Sequence, residues 1–300
     1  MKGMGKMKPA QIWIGAALIA LVVSIGASLL LPGGSQTVAA NMSLLDRIQA
    51  DGEVDAAYAV GAPLFVIDPN SREMSGIFHD VTTEAFNRLG VTVNWTLQVG
   101  YGEMIEGLGA GRYDVVGSGV WINSSRARGA AFSVPIFYDA VFAYTRVGNE
   151  QLADLGLPNL DSDEYVISTM DGELGAAIAR SDFPNARRLE LPQNSDFSQM
   201  ILNVTEGRAD VVFLAAAAAR SYQVANPGRI VAINPEDPVR VFPNAIMVPQ
   251  GAFALRQALN YALLEMQNDG TIDRILDRYE HEPGSLLRVA VPYTVDARTQ

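Results

Sequence analysis

Two stretches of this chain echo one another: GLGAGRYDVVGSG at 107–119 and NVTEGRADVVFLA at 203–215. Each reads as a helix stopped at Gly-Arg, then an aspartate, then a continuous apolar strand. A strand without polar alternation is buried on both faces, the habit of parallel sheets covered by helices. The surroundings of each copy agree. Before the first copy, GEVDAAYAVGAPLFVI is a strand and a turn broken by Pro63, and HDVTTEAFNRLG places Val81, Ala85, Phe86 and Leu89 at helical spacing with Gly90 as its stop. VTVNWTLQV then alternates as a strand and YGEMIEGLGAGR forms a second helix. Around the second copy, YVISTM, RRLELP and ADVVFL are strands, while GELGAAIAR, FSQMILNVTEGR and the alanine run after Leu214 are helices. Two βαβαβ arrays predict an α/β protein of two similar lobes. GAFALRQALNYALLEMQNDGTIDRILDRYE adds a long amphipathic helix, a stop at Asp269-Gly270, and a shorter helix.

The N-terminus is of a different kind. MKGMGKMK is basic, and the run from Ile12 to Leu31 that follows carries no charge before Pro32-Gly33-Gly34 ends it. Twenty uncharged residues are about the span of a bilayer, and Val38-Ala39-Ala40 supplies small residues at a plausible cleavage position. Residues 1–40 are therefore a signal peptide or an uncleaved membrane anchor through 12–31, and either places the rest outside the cytoplasmic membrane, in the periplasm or on the outer face.

Composition closes several routes. Lys2, Lys6 and Lys8 are the chain's only lysines, so no Schiff-base lysine is available in the folded part. There is no cysteine, and the two histidines, His79 and His281, have no second metal ligand at a useful spacing. A net charge of −11 argues against a nucleic-acid partner. No metal, cofactor or catalytic residue is expected.

Arg126 and Arg128 stand together between an apolar run and a second strand-like run, in SSRARGAAFSVPIFY (124–138). Arg126 follows the carboxyl end of the YDVVGSGV strand, where open α/β sheets bind ligands, and a guanidinium fork matches a carboxylate even when buried. The alternative for either arginine is a solvated or internally paired position, which fits Arg128 better.

Together with GIFHDVTTEAFNRLG (76–90), GRYDVVGSG, GRADVVFL and ALNYALLEMQNDGTIDRILDRY, that stretch resembles the bacterial extracellular solute-binding proteins of family 3, the amino-acid-binding components of ABC importers. The resemblance runs from Val54 to about Glu280. It implies a two-lobed periplasmic-binding-protein fold, each lobe a mixed, mostly parallel sheet flanked by helices, joined by two crossover strands. Residues 50–140 with 240–284 would form one lobe, 141–239 the other, and 285–300 a C-terminal extension. It implies a monomer that closes on a small-molecule ligand and delivers it to an ABC permease. Arg126 would grip a ligand carboxylate, supported by the backbone of Ser118 and Gly119, with Tyr101 and Phe65 as stacking aromatics. Three positions depart from the family. Trp121 replaces a hydroxyl residue, Glu173-Leu174 replace a hydroxyl pair, and Ala215 stands where an aspartate usually pairs with the ligand's ammonium. Ordinary α-amino acids should then bind weakly unless Glu173 or another acid supplies the missing charge. Asp80 either caps the helix it opens or faces the cleft. A membrane-tethered sensor, and an enzyme like the dehydratases among the family's relatives, are the competing functions.

Overall fold

The computed structural model describes residues 42–149, 152, 156–193 and 195–290, so the expected signal or anchor lies outside the described residues, as does the extension beyond residue 290. Among the described residues no helix is long and apolar enough to cross a membrane. The chain enters through α1 (Leu44–Asp51), turns at Gly52 in the left-handed region (φ 74°), and runs into β1 (Glu53–Tyr58). A small hairpin of β2 (Val66–Ile67) and β3 (Met74–Ser75) follows. Next comes α2 (Ile77–Arg88), whose Ile77, Phe78, Val81, Ala85 and Phe86 fall on one buried face, as their spacing requires. β4 (Thr92–Gln98), α3 (Met104–Gly109) and β5 (Val115–Trp121) complete the first unit, in which β1 pairs in parallel with both β4 and β5.

After the short β6 (Ala130–Phe132), β7 (Phe137–Arg146) leaves the first lobe for the second. There β8 (Val166–Met170), α4 (Leu174–Asp182), β9 (Arg187–Leu191), α5 (Phe197–Thr205) and β10 (Val211–Ala215) repeat the parallel pattern, with β8 between β9 and β10. α6 (Ala216–Ala225) and β11 (Ile230–Ala232) follow, and β12 (Arg240–Pro249) returns to the first lobe. The helices α7 (Phe253–Asn268) and α8 (Thr271–Tyr279) then cover that lobe's sheet, and β13 (Leu287–Arg288) pairs with the start of β7.

β7 and β12 pair antiparallel, Arg240 against Val141 through Asn244 against Phe137, and this ribbon fuses the two sheets into one with the order β4-β1-β5-β12-β7-β10-β8-β9. The echoed aspartates have the same job in both lobes. Asp114 accepts the Asp55 amide at 3.0 Å and Asp210 accepts the Val166 amide at 2.9 Å, each carboxylate fastening the head of one buried strand to its neighbour. Aspartate recurs there because its short side chain reaches a backbone N–H that the ladder leaves unpaired.

Asp80 does neither of the things expected of it. The N-cap of α2 is Gly76, without a side-chain cap, and Asp80 instead accepts from the Tyr279 hydroxyl at 2.8 Å and from Arg278 at 2.7 Å. It pins α8 to α2, away from the cleft, because α8 brings a cation and a phenol to that turn. Leu286 is buried in the first lobe's core, so packed chain continues past residue 284, into the expected extension.

Candidate functional site

Strand ends from both lobes meet around one small cavity of about 60 Å³. The first lobe contributes the end of β5, with Gly119 and Trp121, and the loop carrying Tyr101. The second contributes Glu173-Leu174 at the start of α4, Phe197, and the β10–α6 junction at Ala215 and Ala217. Asp139 enters from the ribbon strand β7.

Arg126 is 8% exposed, in a single 3₁₀ turn (Arg126–Arg128) that follows β5. Its two guanidinium tips donate to the carbonyls of Trp121 and Gly172, both at 3.1 Å, so one side chain holds backbone from each lobe. The guanidinium lies over the Tyr101 ring, 5.8 Å from its centre. Burial lowers its proton affinity, and Tyr101 and Glu173 oppose that shift, though no carboxylate comes within 4.0 Å of it among the described residues. Arg128 bonds Ser125 and stays in solvent.

Glu173 is 7% exposed and is the N-cap of α4, its carboxylate accepting the Gly175 amide. Burial raises its pKa to about 7 against the pull of that amide and of Arg126. The Tyr101 hydroxyl is pushed up to about 12 by loss of water, helped by the negative charge of Glu173.

Sequence reasoning missed Asp139, which is 1% exposed. One of its oxygens accepts from Trp121 Nε1 at 2.7 Å and from the Asn244 amide, yet burial still holds its pKa up at about 6. The signal was present: Asp139 is the one acid in the apolar strand FYDAVFAYTR, and a buried carboxylate needs a reason. Trp121, whose ring stacks on Phe242 at 4.8 Å, holds both charges: its carbonyl takes Arg126 and its indole N–H takes Asp139.

Two expected site residues lie elsewhere. Ser118 is buried with its hydroxyl accepting the Ala59 amide across to β1, so it ties strands together. Phe65 is enclosed by Tyr58, Trp95 and His79, stacked on the first at 4.6 Å, because three neighbouring rings offer it better burial than the cleft. Gly119 lines the cavity, and a Cβ there would strike Phe78 and Asn244.

The lobes are in close contact beside the cavity. At Gly172 (φ 77°), a Cβ would sit 2.5 Å from the Gly102 nitrogen, and Gln193 donates to Glu103 across the same seam at 2.9 Å. Among the described residues no group of three or more acidic, histidine or cysteine side chains could hold a metal ion.

A two-lobed fold with a charged cavity at its seam and a two-strand ribbon between the lobes defines a ligand-capturing protein. The chain belongs to the bacterial extracellular solute-binding proteins, family 3, which match residues 54–282. It is 27% identical over 265 residues to a probable amino-acid ABC transporter periplasmic-binding protein of Sinorhizobium fredii, covering 82% of each chain. To the cyclohexadienyl dehydratase of Pseudomonas aeruginosa it is 25% identical over 216 residues, 72% of this chain and 78% of that one. In fold it is similar to an ancestral amino-acid-binding protein described as a precursor of cyclohexadienyl dehydratase, with TM-score 0.70 at 22% identity, covering 80% of this chain and 100% of that one. It is also similar to an ABC-transporter binding component from Wolinella succinogenes complexed with lysine, with TM-score 0.68 at 20% identity, covering 77% and 97%.

Proposed function

We propose that this protein captures a small carboxylate-bearing or amino-acid-like solute between its lobes, outside the cytoplasmic membrane, and delivers it to an ABC-type permease. The observation that carries the reading is Arg126: a buried cation at the lobe seam, with no ion-pair partner within 4.0 Å among the described residues. Only two of its N–H groups are engaged by carbonyls, so the remainder can fork onto an anion. The lobes divide near residues 140 and 240, where the ribbon strands run. Tyr101, Gly119, Trp121 and Glu173 complete the ligand's surroundings, and the run at 12–31 directs the protein to the membrane.

A thermal-shift screen of the full-length protein against amino acids, dicarboxylates, aromatic acids and polyamines tests the reading. A ligand at 100 times its Kd stabilises by about 2.7 kcal/mol. At least one carboxylate should raise the melting temperature of the parent and fail to raise that of Arg126→Ala. If no carboxylate does so, the reading falls.

One observation favours a second reading. Glu173, its pKa held up at about 7, carries its proton in about half of the molecules at neutral pH and lines the same cavity as Arg126. That form can act as a general acid, giving its proton to a leaving hydroxyl that departs as water while the adjoining ring carbon gives up a proton to solvent and a C=C bond forms. By analogy with the relative named cyclohexadienyl dehydratase, the substrate in this reading carries a cyclohexadienyl ring, and the anion it offers Arg126 is a carboxylate. Loss of water from a cyclohexadienyl acid, followed by ultraviolet absorbance in the parent and in Glu173→Gln, decides it.

A further inference from the structure

We propose that Asp139 receives a protonated amine of the captured solute, so that the site selects aminocarboxylates over the same acids without the amine. The proposal rests on the reading that a carboxylate lies against Arg126.

The argument begins with what Asp139 lacks. Its carboxylate is buried, and both donors it receives, from Trp121 and Asn244, fall on one oxygen, Oδ2. Oδ1 has no hydrogen-bond partner among the described residues, and no cation stands within 4.0 Å of the group. Two hydrogen bonds to one oxygen offset only part of the carboxylate's desolvation, and burial still pushes its pKa up to about 6. Two fixed donors aimed at one oxygen orient the carboxylate, and they leave the other as an acceptor for something the chain does not provide.

Position gives the second step. Ala215 ends β10 opposite Val141, and Asp139 lies two residues back along β7, on the face that Val141 shares. The acid is therefore displaced by one strand from the end of β10, and Ala215, Ala217 and Ala218 line the cavity with nothing larger than a methyl group. The other titratable or charged groups lining the cavity are Tyr101, Arg126 and Glu173. Glu173 is engaged in capping α4 and acts electrostatically on Arg126, whereas Asp139 does not figure among the influences on Arg126. With both acids ionised, one guanidinium and two carboxylates sum to one negative charge, and a ligand carboxylate on Arg126 makes it two; a protonated amine at Asp139 offsets the charge that the ligand brings.

The test is calorimetry on the full-length protein at pH 7.5, with glycine, alanine, β-alanine and 4-aminobutyrate against acetate, propionate and butyrate. The parent should bind at least one aminocarboxylate about tenfold or more tighter than its amine-free counterpart. Asp139→Asn should erase that preference while still binding the plain acid. Binding heats in buffers of different ionisation enthalpy should show the parent, at pH 6, releasing protons on binding the amine, and Asp139→Asn releasing fewer. The proposal is overturned if Asp139→Asn keeps the preference, or if the parent binds the plain acids equally well, in which case capture at Arg126 stands and only the role of Asp139 falls. Absence of binding by every one of these acids in the parent overturns the role of Asp139, while capture at Arg126 is decided by the wider thermal screen.

Discussion

Replacing Glu173 by glutamine should make the protein's stability less dependent on pH, and the size of the change follows from its burial. The folded protein keeps this carboxyl protonated up to about pH 7, whereas the unfolded chain releases the proton near 4.5. Between those values the folded state binds more protons, so the stability this group contributes is complete below pH 4.5 and is lost as pH rises through 7. At about 1.4 kcal/mol per pH unit, the parent should lose roughly 2–3 kcal/mol through Glu173 between pH 5 and pH 8. Glutamine has no such term, and its side-chain oxygen can still cap α4, so any cost of a weaker cap is the same at both pH values. Thermal unfolding of ligand-free parent and Glu173→Gln at pH 5 and pH 8 reads the double difference. The variant's melting temperature relative to the parent should rise by about 4–10 °C on going from pH 5 to pH 8. Parallel melting profiles of the two proteins across that range would refute the reasoning.

Arg126→Ala should weaken binding of whichever carboxylate the thermal screen identifies by roughly 30-fold to several thousand-fold, with Arg126→Lys recovering part of the loss and Arg128→Ala nearly without effect. Calorimetry on the three variants measures this, provided they melt like the parent when ligand-free. Gly172→Ala places a Cβ 2.5 Å from the Gly102 nitrogen, so ligand should no longer compact the protein, a result visible as an unchanged radius of gyration in small-angle scattering. Leu259→Ala, at a fully buried position between α7 and the first sheet, should cost about 2–5 kcal/mol in denaturant unfolding. Tyr279→Phe removes a hydroxyl bonded to both Asp80 and the Gly76 amide and should cost about 1–3 kcal/mol in the same assay.

The elements were legible because each carries its own periodicity. The apolar face of α2, the stop at Gly90 and the unbroken apolar strands β5 and β10 depend on neighbours in sequence alone. The echo went further, since the aspartate before each buried strand makes the same bond in both lobes. What did not show was which side chains face one another across the seam. Ser118 and Gly119 are consecutive on β5, so the pleat sends the serine hydroxyl to β1 and leaves the glycine at the cavity. Phe65 looks like a stacking residue until Tyr58, Trp95 and His79 are brought around it from three other segments. Asp139 needed only the question of why an acid interrupts an apolar strand, but its partners Trp121 and Asn244 come from 18 and 105 residues away.

The core of the first lobe is drawn from both ends of the chain. Phe78, Val81 and Phe86 pack with Leu255, Leu259, Leu263 and Met266, whereas the buried clusters of the second lobe lie within one unbroken stretch between Val141 and Ile233. A chain emerging N-terminus first from a ribosome or a translocation channel can therefore finish the lobe that starts second before the lobe that starts first. Until β12 arrives, the edge of β5 that it will cover stays open to any other strand, the usual opening for aggregation. Truncation from the C-terminus should accordingly unravel the lobe that begins near residue 50, and leave the lobe encoded in the middle of the chain with every buried residue it needs.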